Sequence, residues 1–334
     1  FVCSSWYFLR YCSPHNNKAA FDSREASYWM PVDQYIGGIE HATMHLIYSR
    51  FFTKVLYDKG LIKFREPFKK YFPHGVVNLD GQKMSKSKGN IVSPSKIYKK
   101  FSADTLRIYI LFMGPAGNPV EWSDSAVEGA NRFLKRLWKL VIGNIKLTGS
   151  TEADINKELK KQKLTDFEQE LYRKLHQTIR KVTEDILNRF NFNTAISAVM
   201  ELVNLMYKYR DDIEDKKKNA ALVRELTGKL LLLLSPIVPF ITEELWSRAG
   251  NSGSIHKIPW PDYDKEIAKE ELVTIIFQVN GKLRDRMDLP LDTSSEEIEK
   301  HALSSKKVNK YIKGREVIKK IVIPNKLINI VVKD

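Results

Sequence analysis

Residues 80–90 read Asp80-Gly81-Gln82-Lys83-Met84-Ser85-Lys86-Ser87-Lys88-Gly89-Asn90. Lysines alternate with serines in a turn that carries a glycine near each end. Ammonium groups form charge-assisted hydrogen bonds to phosphate, and a flexible loop can close on phosphates as negative charge develops. The pattern therefore indicates polyphosphate binding, although a solvated loop of lysine and serine would have the same composition.

The segments around this loop predict an α/β arrangement. Gly75 to Leu79 reads as a short strand that turns at Asp80-Gly81. Glu40 to Lys59 reads as a helix ended by Gly60, and Asp104 to Phe112 as another. Short strands and helices separated by glycine and proline turns are typical of α/β domains. We therefore predict an α/β domain over residues 1–122.

A second segment suggests a ligand site and reads Tyr35-Ile36-Gly37-Gly38-Ile39-Glu40-His41-Ala42-Thr43-Met44-His45. Paired glycines before a helix allow a ligand to approach the backbone closely. Glu40 can accept hydrogen bonds from ribose hydroxyls. Two histidines four residues apart would share one helix face, which also suits zinc or two structural histidines. No further ligand nearby completes a zinc set, so we predict no protein-bound metal.

Composition excludes several classes of protein. Hydrophobic residues make up 43% of the 334 residues and aromatic residues 11%, too many for a disordered chain. No apolar run approaches the roughly 20 residues that span a bilayer, and no secretory signal opens the chain. Two cysteines cannot support a disulfide framework, so we predict a cytoplasmic protein without membrane association. The absent initiating Met suggests a chain cut from a longer one.

The charge indicates a polyanionic partner such as nucleic acid. Lys and Arg outnumber Asp and Glu by 55 to 40, a net charge of +15. Between Arg50 and Arg107 there are fourteen basic and four acidic residues, so most of the excess lies in a small part of the chain. A charge that served only solubility would be spread more evenly.

Two further regions follow the α/β region. Residues 123–260 read as an all-α helix bundle, with helices from Ser123, over Lys163 to Arg189, Asn193 to Arg210 and Ala220 to Leu234, and a short one after Pro239. Residues 261–334 read as a small α/β domain. Its predicted strands are Leu272 to Val279, Val317 to Ile323 and Leu327 to Val332, with a hairpin turn at Asn280-Gly281.

Together the two motifs resemble one family. Lys83-Met84-Ser85-Lys86-Ser87 looks like the second signature of class I aminoacyl-tRNA synthetases, and the Gly37 to Ala42 segment is similar to that of bacterial-type leucyl-tRNA synthetases. Val279-Asn280-Gly281-Lys282-Leu283-Arg284 resembles their carboxy-terminal domain. The resemblance implies the second half of a Rossmann-type catalytic domain, then a bundle of the anticodon-binding type, then a tRNA-binding domain. It covers the carboxy-terminal portion of the family's length.

The resemblance also implies roles for particular residues. The reaction would be activation of leucine with ATP and Mg²⁺ to leucyl-adenylate, then transfer of leucine to tRNA-Leu. Lys83 and Lys86 would be catalytic through the ATP phosphates. The ATP-binding residues would be Gly37, Gly38, Glu40, Val77, Lys83, Met84, Ser85, Lys86 and Ser87. Leucine would contact Phe1, Ser4, Tyr7, His41 and His45. The tRNA would contact Lys282, Arg284 and Arg286.

The chain also departs from the family pattern. The first class I signature, His-x-Gly-His, is absent, and Cys3 stands where many relatives carry Asp. The first half of the nucleotide fold and the editing domain would belong to a missing amino-terminal half, in the same parent chain or in a second subunit. We therefore expect a leucine–tRNA ligase segment that is inactive alone. The alternative is a non-catalytic tRNA-binding module derived from a synthetase.

Overall fold

The computed structural model describes residues 1–148, 159, 162–214, 217–269, 272–291 and 293–333. By its internal contacts the chain divides into two compact units, Phe1–Tyr263 and Asp264–Asp334. Within the described ranges, no helix is both long enough and apolar enough to cross a membrane.

The first unit begins with an α/β region that contains two small sheets. Its helices are α1 (Tyr7–Cys12), α2 (Ser23–Trp29), α3 (His45–Asp58), α4 (Pro94–Lys100) and α5 (Ala103–Phe112). β1 (Tyr35–Gly38) and β2 (Tyr71–His74) form a parallel pair. β3 (Val77–Leu79) lies between β4 (Gln82–Lys83), which is antiparallel to it, and β5 (Val120–Glu121), which is parallel to it.

The predicted turn at Asp80-Gly81 is confirmed. It positions residues 85–89, which we call the lysine loop. Asp80 has φ of 53° and Gly81 of 72°, the paired positive values of a tight two-residue hairpin. The turn joins β3 to β4, so that Asn78 pairs with Lys83 and Leu79 with Gln82. Lys83 is therefore held in a strand, whereas Ser85 to Gly89 follow as a loop with a short 3₁₀ helix at Lys86–Lys88.

The rest of the first unit is the predicted helix bundle. Where the structure describes this region, its helices are α6 (Asp124–Thr148), α7 (Asp166–Glu184), α8 (Phe192–Asp212), α9 (Ala220–Leu234) and α10 (Pro239–Arg248). Leucines, valines and isoleucines from all five form one continuous buried core. The sequence predicted one helix from Lys163 to Arg189, but the last five residues, Asp185–Arg189, form a π-helical turn instead.

Asp104 and Arg107 of α5 join the α/β region to the bundle through hydrogen bonds. Asp104 is buried, and its carboxylate accepts hydrogen bonds from the backbone N–H groups of Ile241 (2.7 Å) and Phe240 (3.4 Å). These groups lie in the first turn of α10, whose own N-cap, Val238, provides no side-chain acceptor. Arg107 donates to the carbonyls of Ile237 and Pro236, both at 2.9 Å. A helix is thus capped from another helix.

We expect Asp104→Ala to destabilise the first unit by about 1–3 kcal/mol, because it leaves two helix N–H groups without their acceptor in a buried place. The urea midpoint of the full chain measures this change. Asp166→Ala is the matched control, since Asp166 also lies in the first turn of a helix but is exposed. Equal midpoints for the two variants would contradict the capping role.

In its described residues, the second unit forms a four-stranded sheet with two helices. β6 (Leu272–Val279), β7 (Lys282–Pro290), β8 (Val317–Ile323) and β9 (Leu327–Val332) lie in the order β7-β6-β9-β8. α11 (Ser295–Ser304) and α12 (Lys306–Ile312) bury Ile298, Ala302 and Val308 in the core of this sheet. The strands predicted at 272–279, 317–323 and 327–332 are confirmed, as is the turn at Asn280-Gly281.

A carboxylate in this unit makes its stability depend on pH. Lys307 Nζ (2.9 Å) and Ser305 Oγ (2.7 Å) donate to Asp285 and lower its pKa to about 2. The unfolded pKa is about 3.9, so the stabilisation is complete above that value and is lost as the pH falls through about 2. We expect Asp285→Asn to lower the thermal midpoint at neutral pH, and the difference to narrow toward zero near pH 2. Asp288→Asn, on the same strand, is the control, and a pH-independent difference would contradict the assignment.

Candidate active site

Most of the predicted nucleotide-binding residues meet at one cleft. It has a volume of about 760 Å³ and lies at the ends of β1, β2 and β3. Its lining includes Gly38, Glu40, Val77, Lys83 and Met84, from both sequence motifs. A drug-sized ligand pocket usually has 300–1,000 Å³, so the cleft is large enough for a nucleotide. Gly37 is adjacent in β1, whereas Ser85, Lys86 and Ser87 lie beyond the lining, on the loop.

The glycines of β1 have local reasons for being glycines. A Cβ on Gly38 would lie 2.6 Å from the carboxylate carbon of Glu40, and one on Gly37 would lie 3.3 Å from the His41 ring. The Gly38 carbonyl accepts a hydrogen bond from the Tyr71 hydroxyl across the strand pair. The missing side chains thus allow Glu40 and His41 to fold back beside the strand, at the mouth of the cleft.

Glu40 faces a lysine across the cleft. Its Oε1 lies 3.7 Å from Lys83 Nζ, and both side chains are about half exposed, at 46% and 62%. The Glu40 backbone N–H, together with Lys83, lowers the pKa of the Glu40 carboxyl, so it is ionised at neutral pH. An exposed pair of this kind adds little to stability. It does place a carboxylate and an ammonium group on the same cleft, close enough to contact one ligand.

The lysine loop is held by Asn90, a residue for which the sequence predicted no role. Its Oδ1 accepts from the Ser85 backbone N–H at 2.9 Å, and its Nδ2 donates to the Lys83 carbonyl at 3.3 Å. Ser85 and Ser87 hydroxyls lie 2.7 Å apart. Gly89 has φ of 67°, which ends the 3₁₀ turn. Lys86 projects from this closed loop as an exposed cation.

The residues predicted to bind leucine form a second cluster, organised by Tyr35. His45 Nε2 lies 2.6 Å from the Ser4 carbonyl, and His45 Nδ1 lies 3.1 Å from the Tyr35 hydroxyl. That hydroxyl lies 3.2 Å from the Tyr7 hydroxyl. Burial, together with Tyr7, raises the pKa of Tyr35, so its hydroxyl stays neutral. Phe1 contacts Tyr48 with ring centroids 5.3 Å apart, at the exposed edge.

His41 and His45 are close for a reason other than the predicted one. The sequence placed both on one face of a single helix, but His41 lies in a 3₁₀ turn (Ile39–Ala42) and α3 begins only at His45. Their ring centroids are nevertheless 6.1 Å apart and nearly perpendicular. Since His41 also lines the cleft, the cluster of residues predicted to bind leucine lies next to the cleft. Among the described residues, no group of three or more His, Cys, Asp and Glu side chains could hold a metal ion.

The three predicted tRNA-binding residues of β7 differ in their strand pairing and in their exposure. Lys282 pairs with Val279 and Arg286 with Ile276, but Arg284 falls in the bulge of the β6–β7 ladder and has no opposite residue. Its guanidinium lies 3.6 Å from the centre of the Tyr311 ring on α12, a cation–π contact. Lys282 and Arg286 are exposed, whereas Arg284 is partly buried.

Two family models match separate parts of the chain. One describes class I tRNA synthetases (I, L, M and V) and matches residues 1–123. The other describes the anticodon-binding domain of tRNA ligases and matches residues 168–300. With the cleft and its lysine loop, these matches identify the class: the chain belongs to the class I tRNA synthetases.

Similar proteins narrow this class. A leucine–tRNA ligase of Thermosipho melanesiensis is 49% identical over 333 residues, and one of Symbiobacterium thermophilum is 44% identical over 355. A solved ternary complex of an Agrobacterium radiobacter K84 LeuRS with tRNA and LeuAMS has 37% identity and a TM-score of 0.76. All of this chain aligns in each comparison, against 40%, 41% and 42% of the other protein. Within its class, the chain is a member of the leucine–tRNA ligase family and spans about 40% of the length of these relatives.

Proposed function

We propose that this chain supplies the phosphate-loop part of the active site of a leucine–tRNA ligase. The observation that carries the proposal is the convergence of Gly38, Glu40, Val77 and Lys83 on one cleft, with the loop of Lys86 directly after it. Glu40 would bind the ribose of ATP, the Val77 backbone would contact the adenine edge, and the lysines would bind the phosphates.

Catalysis would rest on fixed positive charge. The leucine carboxylate attacks the α-phosphorus of ATP, pyrophosphate leaves, and negative charge builds on the phosphate oxygens in the transition state. Lys83, held by β4 and Asn90, and Lys86, on the loop, would stabilise that charge by about 3 kcal/mol each, by analogy with single oxyanion donors. Mg²⁺ would arrive with the triphosphate, as is usual for this ion, and would neutralise the leaving pyrophosphate.

Leucine would lie beside the nucleotide, at the cluster of Ser4, Tyr7, His41 and His45. A neutral Tyr35 hydroxyl links Tyr7 to His45. It would keep both side chains in place while leucine is converted to leucyl-adenylate. His41 touches both the cleft and His45, so it would lie where the carboxylate of leucine meets the α-phosphate. Phe1 would contribute an apolar surface at the rim.

The partner that completes the site would pack on α3. The buried side of this helix carries Ser49 and Thr53, whereas its exposed side carries an apolar stripe at helical spacing: Ile47, Tyr48, Phe51 and Val55. Phe51 is 67% exposed. A helix normally buries its apolar face, so this reversal favours a covering segment. We assign the place to the amino-terminal half of the enzyme, since the relatives are about two and a half times as long as this chain.

The other two regions would bind tRNA-Leu. The helix bundle (residues 123–260) would orient the tRNA through phosphate contacts, in keeping with the match of residues 168–300, which include most of the bundle, to an anticodon-binding domain. Residues 261–334 would add contacts from Lys282, Arg284 and Arg286, with Arg284 fixed on Tyr311. The net charge of +15 favours such a partner. The reaction would take place in the cytoplasm. A non-catalytic tRNA-binding module is less well supported, because it would have no use for the cleft.

Leucine-dependent ATP–pyrophosphate exchange tests the proposal. The assay is run on this chain alone and on a chimera in which it replaces the matching part of the Thermosipho melanesiensis relative. We expect exchange from the chimera and none from the chain alone. A folded chimera that binds tRNA but catalyses no exchange would favour the non-catalytic module.

A further inference from the structure

The helix bundle reaches the cleft at one unusual turn. α7 ends in the π-helical turn Asp185–Arg189, and Phe190 follows with φ of 52° and ψ of 32° before α8 begins at Phe192. A bulky side chain rarely adopts this left-handed conformation. Such backbone strain persists where the surrounding structure enforces it, and it is enriched at ligand sites.

Asp185 enforces the turn from inside the bundle. Its side chain is fully buried, accepts a hydrogen bond from Thr194 Oγ1 at 2.6 Å and forms an ion pair with Lys181 Nζ at 2.7 Å. Its backbone carbonyl accepts from the Asn191 N–H at 3.0 Å, which closes the turn around Phe190. The direction of the Phe190 ring is therefore set by the bundle.

The Phe190 ring stacks on a strand of the α/β region. Its centroid is 4.8 Å from that of Phe72 in β2, with 29° between the planes, and Phe192 contacts it edge-on at 5.7 Å. All three rings line the same cleft as Glu40 and Lys83. The cleft thus has an aromatic wall, part of it supplied by the bundle, together with the carboxylate and the ammonium group. A purine nucleotide matches these groups: its flat base suits the aromatic wall, its ribose hydroxyls suit the carboxylate, and its phosphates suit the ammonium group.

We propose that Phe190 is a positioning residue for the nucleotide base. By stacking on Phe72 it holds the chain from β2 to β3, including Val77, in the position against which the base binds. The inference rests on the proposed function, since the ligand in question is ATP. It adds that the shape of the base pocket depends on the helix bundle as well as on the catalytic domain.

Three substitutions of Phe190 in the chimera distinguish the effect of the aromatic ring from the effect of the backbone conformation. Phe190→Leu removes the ring but keeps an apolar side chain, Phe190→Gly removes the ring and relieves the strained φ, and Phe190→Tyr keeps the ring. We expect Leu and Gly each to raise the Kd and KM for ATP by about three- to tenfold, the effect of one aromatic pair. We expect kcat, the KM for leucine and the thermal midpoint to change little, and Tyr to behave as the parent.

Leu187→Ala is the matched control, because Leu187 lies in the same turn but is 69% exposed and outside the cleft lining. Direct binding of radiolabelled ATP by equilibrium dialysis keeps the readout independent of turnover. A parent chimera that binds no ATP would overturn both the proposed function and this inference. A parent that binds ATP, with Leu and Gly variants that bind it equally well, would overturn the inference alone. ATP binding equal to that of the parent in the Gly variant alone would also overturn the inference, because it would show that the backbone conformation at residue 190 matters and the ring does not.

Discussion

Lys86→Ala in the chimera is expected to slow leucyl-adenylate formation by about 100- to 1,000-fold, the effect of removing one preorganised transition-state donor. Lys86 projects from a loop that Asn90 closes through Ser85, so the loop itself should remain intact without the ammonium group. The tRNA affinity should stay nearly unchanged, since the bundle and the second unit are untouched. Single-turnover adenylate formation and a filter-binding assay with tRNA-Leu measure the two effects.

Lys88→Ala is the control for charge. Lys88 lies on the same 3₁₀ turn, two residues away, but its Nζ is bonded to Gln82 Oε1 at 3.2 Å. Removing it lowers the loop's charge by the same amount, and a much smaller loss of rate is expected. Equal losses for Lys86→Ala and Lys88→Ala would mean that the loop acts by its net charge and would contradict the specific role of Lys86. Equal loss of adenylation and tRNA binding would contradict the phosphate-loop assignment altogether.

Gly75→Ala is expected to cost about 3 kcal/mol of folding free energy, the upper end of overpacking effects, and to abolish tight ATP binding. A Cβ at Gly75 would lie 2.8 Å from the Pro119 backbone nitrogen and closer still to the Asn118 carbonyl. Backbone atoms cannot rotate away as a side chain can. The chain before β3 would therefore move off the segment it pairs with through Ala116, and both segments line the cleft. Urea unfolding and ATP equilibrium dialysis report the two consequences.

Gly117→Ala serves as the matched control, because Gly117 lies in the facing segment. A Cβ there would lie 3.8 Å from the Pro73 carbonyl oxygen, an ordinary contact. Stability and ATP binding close to those of the parent are expected. If Gly75→Ala were tolerated as well as Gly117→Ala, the close approach at Asn118 would not constrain the cleft.

Local pattern predicted most of the secondary structure. The strands at 272–279, 317–323 and 327–332 and helix α9 have the bounds expected from their sequence, because alternation, helical period and turn residues act over a few neighbours. The same reasoning missed the π-helical turn at 185–189 and the break before His45. In both places hydrogen bonds to residues elsewhere, such as Asp185 with Thr194 and His45 with Ser4, accompany the departure from a regular helix.

Chemistry could be read from the motifs because their residues are contiguous. Lys83 to Ser87 and Gly37 to His41 bring cations, a carboxylate and bare backbone together over five residues each, and that was enough to indicate a nucleotide and a family. Tyr35 and Asn90 lay within or beside these motifs, but nothing local shows that a tyrosine links Tyr7 to His45 or that an asparagine bridges a loop.

Contacts between distant segments were decided by the tertiary structure alone. Asp104 caps a helix 136 residues later in the chain, and Phe190 of the helix bundle stacks on Phe72 in β2. Neither pairing has a sequence signal, since each depends on which faces the packed core brings together. The residue types and their order thus dictated the fold class, the motifs and the chemistry. Packing decided which of them meet at the cleft, because long-range contacts form only where burial compensates the entropy of closing the intervening chain.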